Sequence, residues 1–129
     1  MSDMTTPGHL SWSELMTSNP SAAAEFYGSL FGWTFSVMDM PDGTYHVASN
    51  GDNKIAGIMQ LPSDSPSQQA TWGQYVTVED IHATAAKIQR LGGDLLVPPT
   101  TIPGVGEFIL FTDPQGAALS AIQYASEGE

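Results

Sequence analysis

Cysteine is absent from these 129 residues. That excludes a disulfide framework, a thiol nucleophile and any zinc site built on thiolate. Basic side chains are nearly as scarce: Lys54, Lys87 and Arg90 face fourteen acids, for a formal charge of -11. So few cations cannot displace the counterions of a phosphate backbone, which argues against nucleic acid as a partner. The same deficit argues against an anionic membrane surface. No apolar run approaches the roughly 18 residues of a membrane-spanning helix. The opening Met-Ser-Asp-Met-Thr-Thr-Pro-Gly has neither the basic nor the apolar part of a secretory signal, so a cytoplasmic soluble protein is expected. A glycine-rich phosphate loop and a GxSxG nucleophile turn are also missing.

What is present is a repeat. Trp12 to Thr17, Asn19, the run Phe26 to Gly32, and Gly57-Ile58-Met59 fall opposite Gly73 to Val78, Asp80, Lys87 to Gly93, and Ala118-Leu119-Ser120, sixty-one residues on and without a gap. A unit of that size, present twice, suggests two modules rather than a solenoid. Apolar content of 41% is enough for one domain with a core.

Each half reads as strand, capped helix, then three strands. Trp12, Glu14 and Met16 alternate with Ser13, Leu15 and Thr17, as in a strand. Asn19-Pro20 is a helix start. Ala23, Phe26, Tyr27, Leu30 and Phe31 form a helical apolar stripe, and Gly32 ends it. Strands follow over 33–38, 45–49 and 54–61, with turns at Pro41-Asp42-Gly43 and 50–53. The second half repeats the plan. Trp72 to Val78 is a strand, Asp80 caps a helix with Ile81, Ala85, Ile88 and Leu91 inward, and Gly92-Gly93 stops it. Asp94 to Val97 is a short strand broken by Pro98-Pro99. Strands over 107–111 and 117–124 flank the turn Asp113-Pro114-Gln115-Gly116. Residues 1–8 and 125–129 read as tails and 9–124 as one domain, with module one at 9–61, a linker at 62–70 and module two at 71–124.

Phe26-Tyr27-Gly28-Ser29-Leu30-Phe31-Gly32-Trp33, the turn Asp113-Pro114-Gln115-Gly116, and Val78-Glu79-Asp80 with Leu91-Gly92-Gly93 together resemble the vicinal oxygen chelate superfamily. That group includes glyoxalase I, the bleomycin-resistance proteins and extradiol dioxygenases. The resemblance spans residues 9 to 124. It implies an α+β domain of two tandem βαβββ modules, with a curved mixed sheet around a cavity.

The resemblance also implies metal ligands on the first and fourth strands of each module. Those positions are Trp12 and Gly73 on the first strands. On the fourth strands they are Ser120, seven residues after the turn aspartate, and its repeat mate Met59. Two of these lack a usable donor and the others are weak, so no metal and no cofactor is expected. The ligand-binding candidates are Trp12, Glu14, Met16, Met59, Trp72, Tyr75 and Ser120. Glu14, His46 and Glu107 are the candidate acid-base residues, with His46 and Glu107 at matching repeat positions and most simply an exposed pair. His82 and His9 read as solvated. The expected function is metal-independent binding of a small, largely apolar molecule by a homodimer. The alternatives are a lyase, isomerase or dioxygenase with a relocated metal site, or a non-catalytic dimeric accessory protein.

Overall fold

A computed structural model of the protein describes residues 6–40, 43–61, 69–102 and 105–125. The expected linker over 62–70 and the turn at Pro41-Asp42 fall mostly outside them. The chain divides into two compact units, one of Trp12–Gly73 and one of Met1–Ser11 with Gln74–Glu129. The first holds most of β1 (Leu10–Thr17), then α1 (Pro20–Phe31), β2 (Thr34–Met40), β3 (Gly43–Asn50) and β4 (Asn53–Gln60), with the strands ordered β2-β3-β4-β1. The second holds most of β5 (Thr71–Thr77), then α2 (Ile81–Arg90), β6 (Asp94–Ile102), β7 (Gly106–Thr112) and β8 (Ala118–Tyr124), ordered β5-β8-β7-β6. In both units the first and last strands run parallel and the other pairs antiparallel. Each is therefore βαβββ, and the fold class is α+β.

Capping follows the sequence. The Asn19 side chain accepts from the Ala22 N–H at 3.0 Å, Pro20 takes the first helical turn, and Gly32 closes α1 in a left-handed conformation at φ 77. Asp80 accepts from the N–H groups of His82 and Ala83, both at 3.1 Å. At the last turn Asp113 accepts from the N–H groups of Gln115 and Ala117, both at 2.9 Å, and Gly116 takes positive φ.

Several expectations are corrected. Residues 6 to 8, read as tail, are tied down: the Gly8 N–H donates to the Thr77 carbonyl at 2.8 Å. Strand β6 does not stop at Val97 but runs through Pro98-Pro99, with two shifts of register against β7. Bulges accommodate residues that cannot donate to a ladder. Leu91, read as inward, is exposed. The stripe on α1 is a larger departure: Phe26, Leu30 and Phe31 are 59%, 57% and 55% exposed, and the helix buries none of its residues. By contrast α2 buries Ile81, Ala85 and Ile88 against Ile109 and Ala121. Helical periodicity shows that one face is apolar; it does not show that anything covers it.

The repeat is real in topology, but its spacing drifts. Glu14 pairs with Gly57, and Tyr75 with Ser120. Residues 14 and 75 are 61 apart, whereas 57 and 120 are 63 apart. The extra residues enter at the shifts in β6 and at the connection to β7, which runs from Ile102 to Gly106 where module one runs from Met40 to Gly43. Two pairings made at constant spacing are thereby corrected. The partner of Ser120 in module one is Gly57, not Met59. The partner of His46 is Ile109, since His46 pairs with Ile58 as Ile109 pairs with Ala121. Glu107 matches Thr44.

Candidate functional site

The alternation of β1 puts Leu15 into the core of its unit and turns Trp12, Glu14 and Met16 to the other face. Tyr45 on β3 pairs with Met59, and Met59 pairs with Met16, so those three share that face. Its ring crosses diagonally to the row of Glu14 and Gly57. The Tyr45 hydroxyl donates to Glu14 Oε2 at 2.8 Å. It also accepts from the indole N–H of Trp12 at 2.9 Å. Indole, phenol and carboxylate thus form a directed chain, ending on an acceptor that makes the last bond charge-assisted. All three side chains are partly buried, hence both held and reachable.

Gly57 makes this possible. A Cβ at that position would collide with the hydroxyl end of the Tyr45 ring. The phenol therefore fills the space that a fourth-strand side chain would occupy. Tyr45 was not singled out from sequence. The available signal was the glycine itself: inside a strand otherwise built to pack, it marks close approach of another group.

Module two carries the apolar counterpart. Tyr75 takes the place of Glu14, Phe108 that of Tyr45, and Ser120 that of Gly57, following the pairings above. The Tyr75 and Phe108 rings meet edge to face at 6.2 Å, and Tyr75 and Ser120 are buried. Trp72 donates from its indole to the Tyr27 hydroxyl at 3.2 Å and packs edge-on to that ring, in an aromatic cluster with Phe31 and Trp33 beside α1.

The candidate acid-base residues do not form one group. His46 points away from Glu14 across the sheet and is only 7% exposed, which corrects the exposed reading. Its Nδ1 is buried without a partner among the described residues. Glu107 faces His82 at 3.6 Å within its own unit, and that histidine is largely exposed. Tyr124 has its hydroxyl pushed above the usual phenol range by burial, partly offset by its hydrogen bond with Ser11 at 3.0 Å.

The metal that the resemblance implies can be tested against these donors. Gly57 and Gly73 have no side chain. The Trp12 nitrogen carries a proton already given to Tyr45, and Ser120 offers one buried hydroxyl. Among the described residues no three His, Cys, Asp or Glu side chains cluster as a cation site. These positions do not fit a divalent metal.

Two βαβββ units, each with its first and last strands paired in parallel, define a two-module class of α+β proteins. Residues 7–120 match the family model of the Glyoxalase/Bleomycin resistance protein/Dioxygenase superfamily, and the chain belongs to that family. It is 39% identical over 121 residues to "Putative glyoxylase CFP32" of Mycobacterium tuberculosis, covering 93% of this chain and 46% of that protein. It is 30% identical over 127 residues to "Anthracycline biosynthesis protein DauV" of Streptomyces sp. strain C5, covering 88% and 46%. The chain spans about half the length of these curated relatives. Methylmalonyl-CoA epimerase from Mycobacterium tuberculosis shares the fold, with a TM-score of 0.67 at 14% identity over 93% of this chain and 89% of that one.

Proposed function

We propose that this chain binds a small, largely apolar molecule without a metal, on the face of module one that carries Trp12, Glu14, Met16 and Met59. The observation that carries the reading is the Tyr45 hydroxyl over Gly57, engaged between an indole and a carboxylate. A ligand set is replaced there by a hydrogen-bonding wall. Two thioethers, an indole and an acceptor carboxylate suit a planar neutral or cationic molecule better than an anion. Trp72, Tyr75 and Ser120 remain candidates for further ligand contacts. A homodimer in the cytoplasm completes the reading.

The test is calorimetric titration of chelator-treated protein with cationic, neutral and anionic aromatics. An anthracycline is one of the planar probes, because the name of the Streptomyces relative ties that protein to anthracycline biosynthesis. Binding should survive chelation and favour cations or neutral molecules. Glu14→Gln should weaken a cationic ligand by about 1–3 kcal/mol, the scale of a charge-assisted bond. Trp12→Ala should weaken any aromatic ligand through lost burial. Gly57→Ala, which evicts the Tyr45 hydroxyl, should weaken both classes. Preference for anions, or wild-type affinity in all three variants, would overturn the reading.

A catalytic second reading is favoured by the glyoxylase name of the 39% identical relative. In it Glu14 is the base of a relocated site. Stoichiometric nickel, zinc, iron or manganese in purified protein, together with turnover lost in Glu14→Gln, would support that reading over simple binding.

A further inference from the structure

With no cysteine in the chain, no thiol competes for a peroxide, and the thioethers of methionine are its most easily oxidised side chains. Three of its six methionines stand in one line. Met38 on β2 pairs with Tyr45 on β3, Tyr45 with Met59 on β4, and Met59 with Met16 on β1. Directly paired residues turn to the same side of a sheet. Thioether, phenol, thioether and thioether therefore form a single row across all four strands of module one. The row lies next to that of Glu14 and Gly57, on the face that carries Trp12.

Methionines that merely fill a core are shielded from oxidant. These are not: Met38 is 48% exposed and Met16 and Met59 are half-buried, while Leu15 and Ile58 on the opposite side of the same strands are buried. A peroxide can reach the row without unfolding the unit. Its product changes the character of the face. A thioether is apolar and adapts to a flat ring, whereas a sulfoxide is polar. The two donors beside the row are already engaged, the Trp12 indole with the Tyr45 oxygen and the Tyr45 hydroxyl with Glu14. Pairing a sulfoxide oxygen with either one breaks that chain, and leaving it unpaired draws water onto the face. Both outcomes disfavour an apolar ligand.

We propose that Met16, Met38 and Met59 are a peroxide-modification site that switches off ligand binding on this face. The thioether sulfur takes one oxygen from hydrogen peroxide or an organic hydroperoxide. The S–O bond forms as the O–O bond breaks, and sulfur gives up two electrons. The second oxygen leaves as water or alcohol, carrying the proton of the transferred hydroxyl. The proposal rests on the binding reading and adds its regulation. To test it, the full chain is treated with hydrogen peroxide and its sulfoxides are mapped by mass spectrometry. Two planar probes, neutral Nile red and a cationic anthracycline, are titrated before and after. Sulfoxide should form first at Met38 and then at Met16 and Met59, with the circular dichroism of the folded protein retained. Probe affinity should then fall by about tenfold or more as apolar surface is lost. Methionine sulfoxide reductase with a dithiol, which releases the oxygen as water and leaves a disulfide in the reductant, should restore it. Met16→Leu/Met59→Leu keeps apolar volume without sulfur. Whatever the affinity of that variant, peroxide should leave it unchanged. No sulfoxide at Met16 and Met59 in folded protein, affinity that survives their oxidation, or an equal loss in the double variant overturns this proposal alone. Untreated protein that binds neither probe nor any other aromatic of the panel overturns the binding reading and this proposal with it.

Discussion

Gly57 and Tyr45 show how a single missing Cβ reorganises a site. The glycine opens a space on the sheet, the phenol enters it, and Trp12 and Glu14 gain a common partner. Neither residue announces this alone, because the contact joins strands whose diagonal offset depends on register. His46 is the opposite case. Its chemistry invites a catalytic reading, but it stands where module two has Ile109, inside the core side of its unit. A buried imidazole nitrogen without a partner costs stability and contributes no accessible base. At Tyr124 the raised phenol pKa has a definite sign. Its folded value lies above the ordinary 10.0, so the unfolded chain ionises first. Stability is intact below that pH and falls as pH rises toward the folded value. Urea unfolding at about pH 9 and about pH 11 should show a loss that is smaller in Tyr124→Phe. An equal loss in both proteins would place the alkaline sensitivity elsewhere.

The two helices begin with similar caps and end in different states. Asn19 and Asp80 both satisfy first-turn N–H groups, and both helices stop near a left-handed glycine, Gly32 or Gly92. Beyond the caps, α2 is anchored by three buried side chains, while α1 lies on its unit with its large apolar residues turned outward. Helix stability in proteins comes mostly from packing of this kind. Backbone amides of α1 should therefore exchange faster than those of α2 in dilute protein, as read by hydrogen-exchange mass spectrometry. Equal protection would show that α1 is held by more than its described contacts.

The charge of -11 acts on the molecule as a whole. Fourteen acids with three cations repel one another, and the compact state concentrates that repulsion. Raising salt from low to physiological ionic strength should raise the melting temperature of the dilute protein, since the Debye length shrinks to about 8 Å. A melting temperature that falls with salt would mean that attraction between opposite charges outweighs the repulsion. The curated relatives match this chain over about half of their own length.

Local chemistry was legible directly: the caps at Asn19 and Asp80, the turn at Asp113, the alternation that separates Glu14 from Leu15, and a two-module plan. Each depends on neighbours within a few residues, or on the presence or absence of a side chain, and both are properties of the sequence. Three matters required the tertiary structure. The bulges in β6 and the longer connection to β7 moved the repeat spacing from 61 to 63 and so replaced Met59 by Gly57 and separated His46 from Glu107. Phe26, Leu30 and Phe31 of the α1 stripe proved largely exposed. Tyr45 proved to be the centre of the polar group in module one. Register and burial are relations between strands and helices far apart in the chain, and sequence spacing specifies them only as long as no residue is added between.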